Sequence, residues 1–235
     1  MSARRPWRPQ LTPSEQRQGW VFFALYLLVF PILLPTLLNL LDSRLDLYTK
    51  SAAMSNAVYY LIIVVLLVAV FFSFLKHGFF LLLDWLPENL FALGTGLLFG
   101  GALTVLAGFI PLPAVLPILQ DYPQQFALSP GATVAVVVFL RPIAEEILFR
   151  GLLFGSLRKW SRPLGYLLST VLFALFSVWQ FAFPSGQLEN LLLIVRYLPI
   201  GLALTWSYDN GGSVWSPILL RMLFSGISLG LMLHL

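Results

Sequence analysis

The run RPIAEEILFRGLLFGSLRKW, Arg141–Trp160, places Glu145, Glu146 and Arg150 inside a segment otherwise apolar and long enough to cross a membrane. An intramembrane charge costs about 2.5–3.5 kcal/mol on insertion scales, so such residues face a bundle interior and pair. Helical spacing assigns the pairs. Glu146 and Arg150 stand four positions apart, about 40° from each other on one face, with the acid preceding the base in the favoured order. Glu145 points about 100° away from Glu146 and needs a partner on another helix. A desolvated carboxylate in that position suits general-base chemistry near neutrality. The same residues also serve as a buried ion-pair cluster that only fixes helix packing.

The rest of the chain fits this reading. Of 235 residues 59% are hydrophobic, 10% are charged, 20 are Phe and none is Cys, with a mean hydropathy of +0.87. A soluble domain is about 45–50% apolar and about 25% charged, and one core cannot absorb the excess. The composition therefore predicts an all-α, polytopic transmembrane helical bundle. It excludes a soluble enzyme, a disordered chain and a disulfide-stapled secreted domain. Absence of Cys removes thiolate catalysis, Cys-based zinc sites and iron–sulfur clusters. The net charge of +4 is concentrated at the N-terminus and in one later loop. Topology signals belong there, so the membrane lipid bilayer rather than nucleic acid is the expected partner.

About seven stretches, within a range of six to eight, are long enough to span: Trp20–Leu41, Asn56–Leu75, Asn89–Ile110, Thr133–Leu157, Leu164–Phe183, Leu188–Tyr208 and Val214–Leu235. Gly78–Leu86 is too short and either lies along the interface or extends a neighbouring helix. Pro31 and Pro35 predict a kink in the first span. Arg4, Arg5, Arg8 and Arg17 hold the N-terminus inside, and seven spans then place Arg158, Lys159 and Arg162 inside as well. Pro111–Pro130, with Asp121 its one charge, and Pro184–Glu189 fall outside. The chain divides into a basic tail (1–19), N-terminal scaffold helices (20–130) and a motif-bearing core (131–235). A basic tail without a cleavable signal fits a multi-pass protein of a prokaryotic plasma membrane.

EEILFRG resembles the EExxxR motif of the CAAX-protease and bacteriocin-processing family, also called CPBP or Abi. GYLLSTVLFALFS, Gly165–Ser177, resembles the family's second motif helix, which reads FxxxH. PIGLALTWSYDNGGSVWSPILLRMLFS, Pro199–Ser225, resembles its closing stretch, where a Gly-rich turn and a Trp–small–Pro sequence lead into a helix with HxxxN. The likeness covers about Thr133–Ser228 in the right order. It implies a glutamate-dependent intramembrane endopeptidase, acting on membrane-embedded or lipidated peptides such as prenylated CAAX proteins. Glu145 would then be the base, with Glu146 and Arg150 supporting it. Other family members act in peptide export and bacteriocin immunity.

The match departs at the positions that carry the chemistry. Ser177 stands where the second motif has His, Arg221 where the last motif has His, and Ser225 where it has Asn. A serine hydroxyl holds a water but does not take and return its proton near neutrality, and arginine stays protonated. Arg221 either donates to an oxyanion or forms a buried salt bridge to Glu145, and the salt bridge is the expectation. Two readings stay open: a CPBP-type protease working by a variant mechanism, and a non-catalytic scaffold, immunity or accessory protein using the same cavity to bind a hydrophobic or lipidated peptide. Two carboxylates without imidazole or thiolate make a poor donor set, so no cofactor and no catalytic metal are expected.

The remaining polar residues have blander readings. His77 sits at a span end as an interfacial residue, and His234, the penultimate residue, is an exposed one. Arg196, with Glu189 seven residues before it on a similar helical face, pairs across the bundle, lines the cavity or snorkels. Asp209, Asn210, Gly211 and Gly212 read as a turn without a catalytic role. Trp179 and Trp215 anchor at an interface or pack in the core.

Overall fold

The computed structural model describes residues 10–45, 52–112, 117–182 and 188–234. The expectations for Arg4, Arg5 and Arg8, for the loop at 183–187, and for the Asp121 and His234 side chains lie outside the described residues. Every element found among the described residues is helical, as a bilayer solvent demands, because a helix satisfies its backbone groups internally.

α1 (Pro13–Leu28) and α2 (Phe30–Leu45) replace the single first span and meet at a bend of 49°. Pro31 lacks the N–H that would continue the ladder there, which is the physical cause of the expected kink. α1 also begins at Pro13, inside the predicted tail of residues 1–19. Thr12 caps it reciprocally with Glu15: the Glu15 N–H donates to Thr12 Oγ1 at 3.3 Å, and the Thr12 N–H donates to Glu15 Oε2 at 2.9 Å. The other carboxylate oxygen of this buried Glu15 accepts the Phe74 N–H at 2.8 Å. Phe74 lies in the first turn of α4 (Phe72–Asp84), so one acid ends two helices.

α3 (Ala52–Val70) precedes α4, which contains most of the ambiguous Gly78–Leu86 stretch as part of a separate helix too short to span. α5 (Leu86–Gly108) follows, and α6 (Pro117–Leu128) is a helix inside what the sequence suggested as a long outer loop. A continuous rod, α7, covers 130–158. Its segments Ala135–Leu140 and Ile147–Phe154 are wound as wide π turns, on either side of the α-helical Arg141–Glu146. α8 (Arg162–Ala182), α9 (Ile194–Gly211) and α10 (Trp215–His234) complete the bundle, with a short 3₁₀ turn at Leu188–Leu193 leading into α9.

Five stretches are long and apolar enough to span: Ala53–Val70, Leu86–Gly108, Arg162–Trp179, Glu189–Gly211 and Trp215–Leu233. The bent α1–α2 pair makes up to six. The span predicted at Thr133–Leu157 is absent from that set because α7 carries Arg141, Glu145, Glu146, Arg150 and Arg158. Multiple apolar helices around this charged rod make the chain an integral, multi-pass membrane protein.

α7 is the centre of the packing, touching α1 and α3, as well as α8, α9 and α10. Phe149 of α7 sits edge-on to Phe23 of α1 (5.4 Å) and to Phe173 of α8 (5.6 Å), and a tilted Phe176 lies 5.6 Å away. Aromatic pairs of this kind contribute about 0.5–1.5 kcal/mol each beyond buried area. Small residues let the backbones close in elsewhere. A Cβ on Gly100 would come within 2.5 Å of Ala203 Cβ, and one on Gly151 within 2.7 Å of the Phe74 ring.

Candidate functional site

The α-helical Arg141–Glu146 and the wide turns that follow it display the charges inward. Glu145, Glu146 and Arg150 are completely buried. Arg150 Nη1 donates to Glu146 Oε1 at 3.1 Å, the pair expected from spacing, and Arg150 Nη2 donates to the Gly201 carbonyl of α9 at 3.0 Å. Glu145 has two partners. Arg221 of α10 reaches its Oε2 at 3.3 Å, the expected cross-bundle salt bridge. Arg141, one turn earlier on the same helix, reaches Oε1 at 2.6 Å. The sequence reading missed Arg141 and held that Glu145 had to look to another helix. The i,i+4 rule applied to Glu146 and Arg150 would have found it. At those separations no water fits between either guanidinium and the carboxylate.

Phe173, the apolar residue that opens the second motif, is a shared platform. The Cζ atoms of Arg150 and Arg221 lie 4.3 and 5.1 Å from its ring centroid. Cations over an aromatic face gain about 0.5–2 kcal/mol each, the more so where water is excluded. Arg141 Nη1 extends the array to the Tyr122 hydroxyl at 3.1 Å. Buried atoms without a hydrogen-bond partner among the described residues include Arg221 Nε, Arg150 Nε and Glu146 Oε2.

The replaced motif positions are placed differently. Ser177 is buried, but its hydroxyl donates to the Phe173 carbonyl at 2.9 Å, one turn back along α8. Ser225 lies one turn beyond Arg221 on α10, half-buried. His77 is exposed on α4. No group of three or more His, Asp or Glu side chains arranged to hold a metal ion occurs among the described residues.

A second polar cluster closes one end of the bundle, and here the expectation of a turn is corrected. Asp209 lies inside α9. Its side chain is 1% exposed and gathers three donors: Arg158 Nε at 2.7 Å, Arg162 Nη2 at 2.6 Å and the Tyr166 hydroxyl at 3.1 Å. Arg158 and Arg162, at the junction of α7 and α8, call for a carboxylate more strongly than the local Asn–Gly–Gly calls for a turn. Only Gly212 takes the left-handed conformation, φ 80°, as the residue that stops α9. The segment after it is then tied down. Ser213 donates to the Gly78 carbonyl at 2.7 Å, Trp215 Nε1 to the Leu75 carbonyl at 3.0 Å, and Ser207 and Ser216 share a hydrogen bond of 2.8 Å. Trp215 thus has the packing role. Arg196 does not pair with Glu189 among the described residues. It donates to the Ile110 carbonyl at 2.9 Å, just past the C-terminal end of α5, where a cation suits the helix dipole.

Comparison with known proteins bears on the helices that hold both clusters. Residues 127–227 match the family described as Type II CAAX prenyl endopeptidase Rce1-like. No curated protein and no solved structure matches the chain. The matched segment runs from the end of α6 through most of α10 and includes Arg141, Glu145, Glu146, Arg150, Ser177, Arg221 and Ser225. Residues 127–227 are thus similar to that CAAX endopeptidase family, and the match together with the apolar helices supports a CAAX protease-like, multi-pass membrane protein.

Proposed function

We propose that this CAAX protease-like protein binds a hydrophobic or lipidated peptide segment without hydrolysing it by a glutamate–histidine route. The engagement of both Glu145 oxygens, by Arg141 and by Arg221, carries this reading. A carboxylate held between two guanidiniums is a poor general base, because taking a proton from water would cost it both ion pairs. Ser177 spends its hydroxyl on its own helix and supplies no proton relay. In this reading Glu145, Glu146 and Arg150 are structural, Arg221 neutralises Glu145, and the motif helices survive as a binding frame.

The test compares wild type with Glu145→Gln, both purified in detergent and incubated with prenylated and unmodified hydrophobic peptides, with products read by mass spectrometry. No product from either protein, together with a lower melting temperature for the variant, is the expected result. Cleavage by wild type that disappears in Glu145→Gln would establish a histidine-free glutamate protease, with Arg221 as its oxyanion donor, and overturn the proposal.

A further inference from the structure

The junction between α7 and α8 carries more positive charge than its own carboxylate balances. Asp209 meets two guanidiniums, those of Arg158 and Arg162. It takes Nε and Nη2 of Arg162, while Nη1 stands outside that pair. Lys159, which follows Arg158, forms no salt bridge among the described residues, and its ammonium lies 5.8 Å from the Trp160 ring centroid. The N-terminal segment reaches this end of the bundle, where Gln10 Nε2 donates to the Gly212 carbonyl at 2.7 Å. No acid precedes Glu15 in the sequence, so that segment brings no compensating charge. Asp84 and Glu88 belong to α4 and α5, and α9 lies between α5 and α8.

Beside these cations an apolar wall begins. The spanning stretch Arg162–Trp179 starts at Arg162, which puts the junction at the membrane surface. Leu164, Leu167 and Val171 are all exposed and recur at i, i+3 and i+7, within about 60° on one face of α8. Trp160, four residues ahead of Leu164, is 80% exposed. An indole at that level suits the headgroup region, where an amphipathic ring is at home. Cations, an aromatic ring and a continuous apolar face thus follow one another in the order in which a phospholipid presents its phosphate, glycerol and acyl chains. The sign of the charge then selects among phospholipids. A zwitterionic headgroup brings its own ammonium beside the phosphate, and Arg158, Lys159 and Arg162 repel it. An anionic headgroup brings phosphate oxygens without that cation, and guanidinium and ammonium groups bind them well.

We propose that the α7–α8 junction is a binding site for an anionic phospholipid. Its phosphate lies against Lys159 and Arg162 beside Trp160, and an acyl chain runs along the face of Leu164, Leu167 and Val171. Asp209 holds the two arginines at the edge of the bundle, where the headgroup meets them.

The experiment uses the full chain purified in a neutral detergent. It is equilibrated with equal amounts of phosphatidylglycerol and phosphatidylcholine carrying the same acyl chains, and bound lipid is counted by native mass spectrometry. The expected result is a preference of about tenfold or more for phosphatidylglycerol, the scale of two basic side chains at an anionic surface. Lys159→Gln should lower that ratio several-fold. Lys76→Gln removes the same charge from an exposed position on α4, at the same end of the bundle, and should leave the ratio as it is. Asp209→Asn releases Arg158 and Arg162 from their internal anion and should raise the ratio, the opposite of what a damaged site would do. A wild-type ratio near one overturns the proposal and needs no variant to fold. Equal losses for Lys76→Gln and Lys159→Gln would overturn it too, because the preference would then belong to net charge and not to this junction. The ratio is read without any peptide present, so its outcome is independent of the role proposed for Glu145.

Discussion

Glu15 and Phe74 stand 59 positions apart in the chain, yet the Glu15 carboxylate accepts the Phe74 N–H at 2.8 Å while closing the cap of its own helix. One buried acid thus supplies an acceptor to two helix N-termini, α1 and α4. Substitution by Ala removes both, and the expected loss is about 1–3 kcal/mol. Glu15→Gln keeps one acceptor oxygen and should lose less. Thermal unfolding in detergent ranks the two. Equal melting temperatures for wild type and Glu15→Ala would show that water replaces the carboxylate.

The Glu146–Arg150 pair invites a double replacement. Arg150→Met leaves a fully buried carboxylate without its cation, and a loss of about 3–5 kcal/mol is expected. Glu146→Leu leaves the converse. The doubly substituted protein carries neither charge and should be more stable than either single variant. A double variant as unstable as the sum of the two singles would mean the residues act independently.

Gly151 has a steric duty. An added Cβ would meet the Phe74 ring at 2.7 and 2.8 Å, so Gly151→Ala should destabilise the fold by about 1–3 kcal/mol. Combining it with Phe74→Leu, which vacates that ring, should recover part of the loss. Melting temperatures of the two singles and the double decide the matter.

Asp209→Asn removes the acceptor charge from Arg158, Arg162 and Tyr166 without changing shape. Both arginines keep contact with solvent, at 24% and 41% side-chain exposure, so they rehydrate when released. The expected cost is about 1–2 kcal/mol, smaller than at Arg150. Limited proteolysis should show the linker between α7 and α8 becoming cleavable before the bundle unfolds.

What could be read from the sequence followed spacing and composition. The all-helical membrane class came from apolar content, the Glu146–Arg150 pair from i,i+4 geometry, and the Arg221–Glu145 bridge from a motif position with nowhere else to discharge. Arg141 was legible by the same spacing but stood at the edge of the quoted motif. Glu15 was legible as a capping box, Thr12 to Glu15, hidden in a segment read as a tail. Its bond to Phe74 was not legible, since no local pattern links residues separated by two intervening helices. The wide turns of α7 left no trace either, because winding by five rather than four residues is imposed by what packs around the rod.

Those turns make the length of α7 matter. Each winds more residues per turn than the α form, so the halves of the rod before and after 147–154 are set in separate angular phases. Tightening one of these turns to the α form with every residue kept would swing everything downstream by about 100°. Arg158 would leave Asp209 even though no side chain of the charge cluster had changed. The spacing between the two polar clusters is therefore a quantity as constrained as the residues in them.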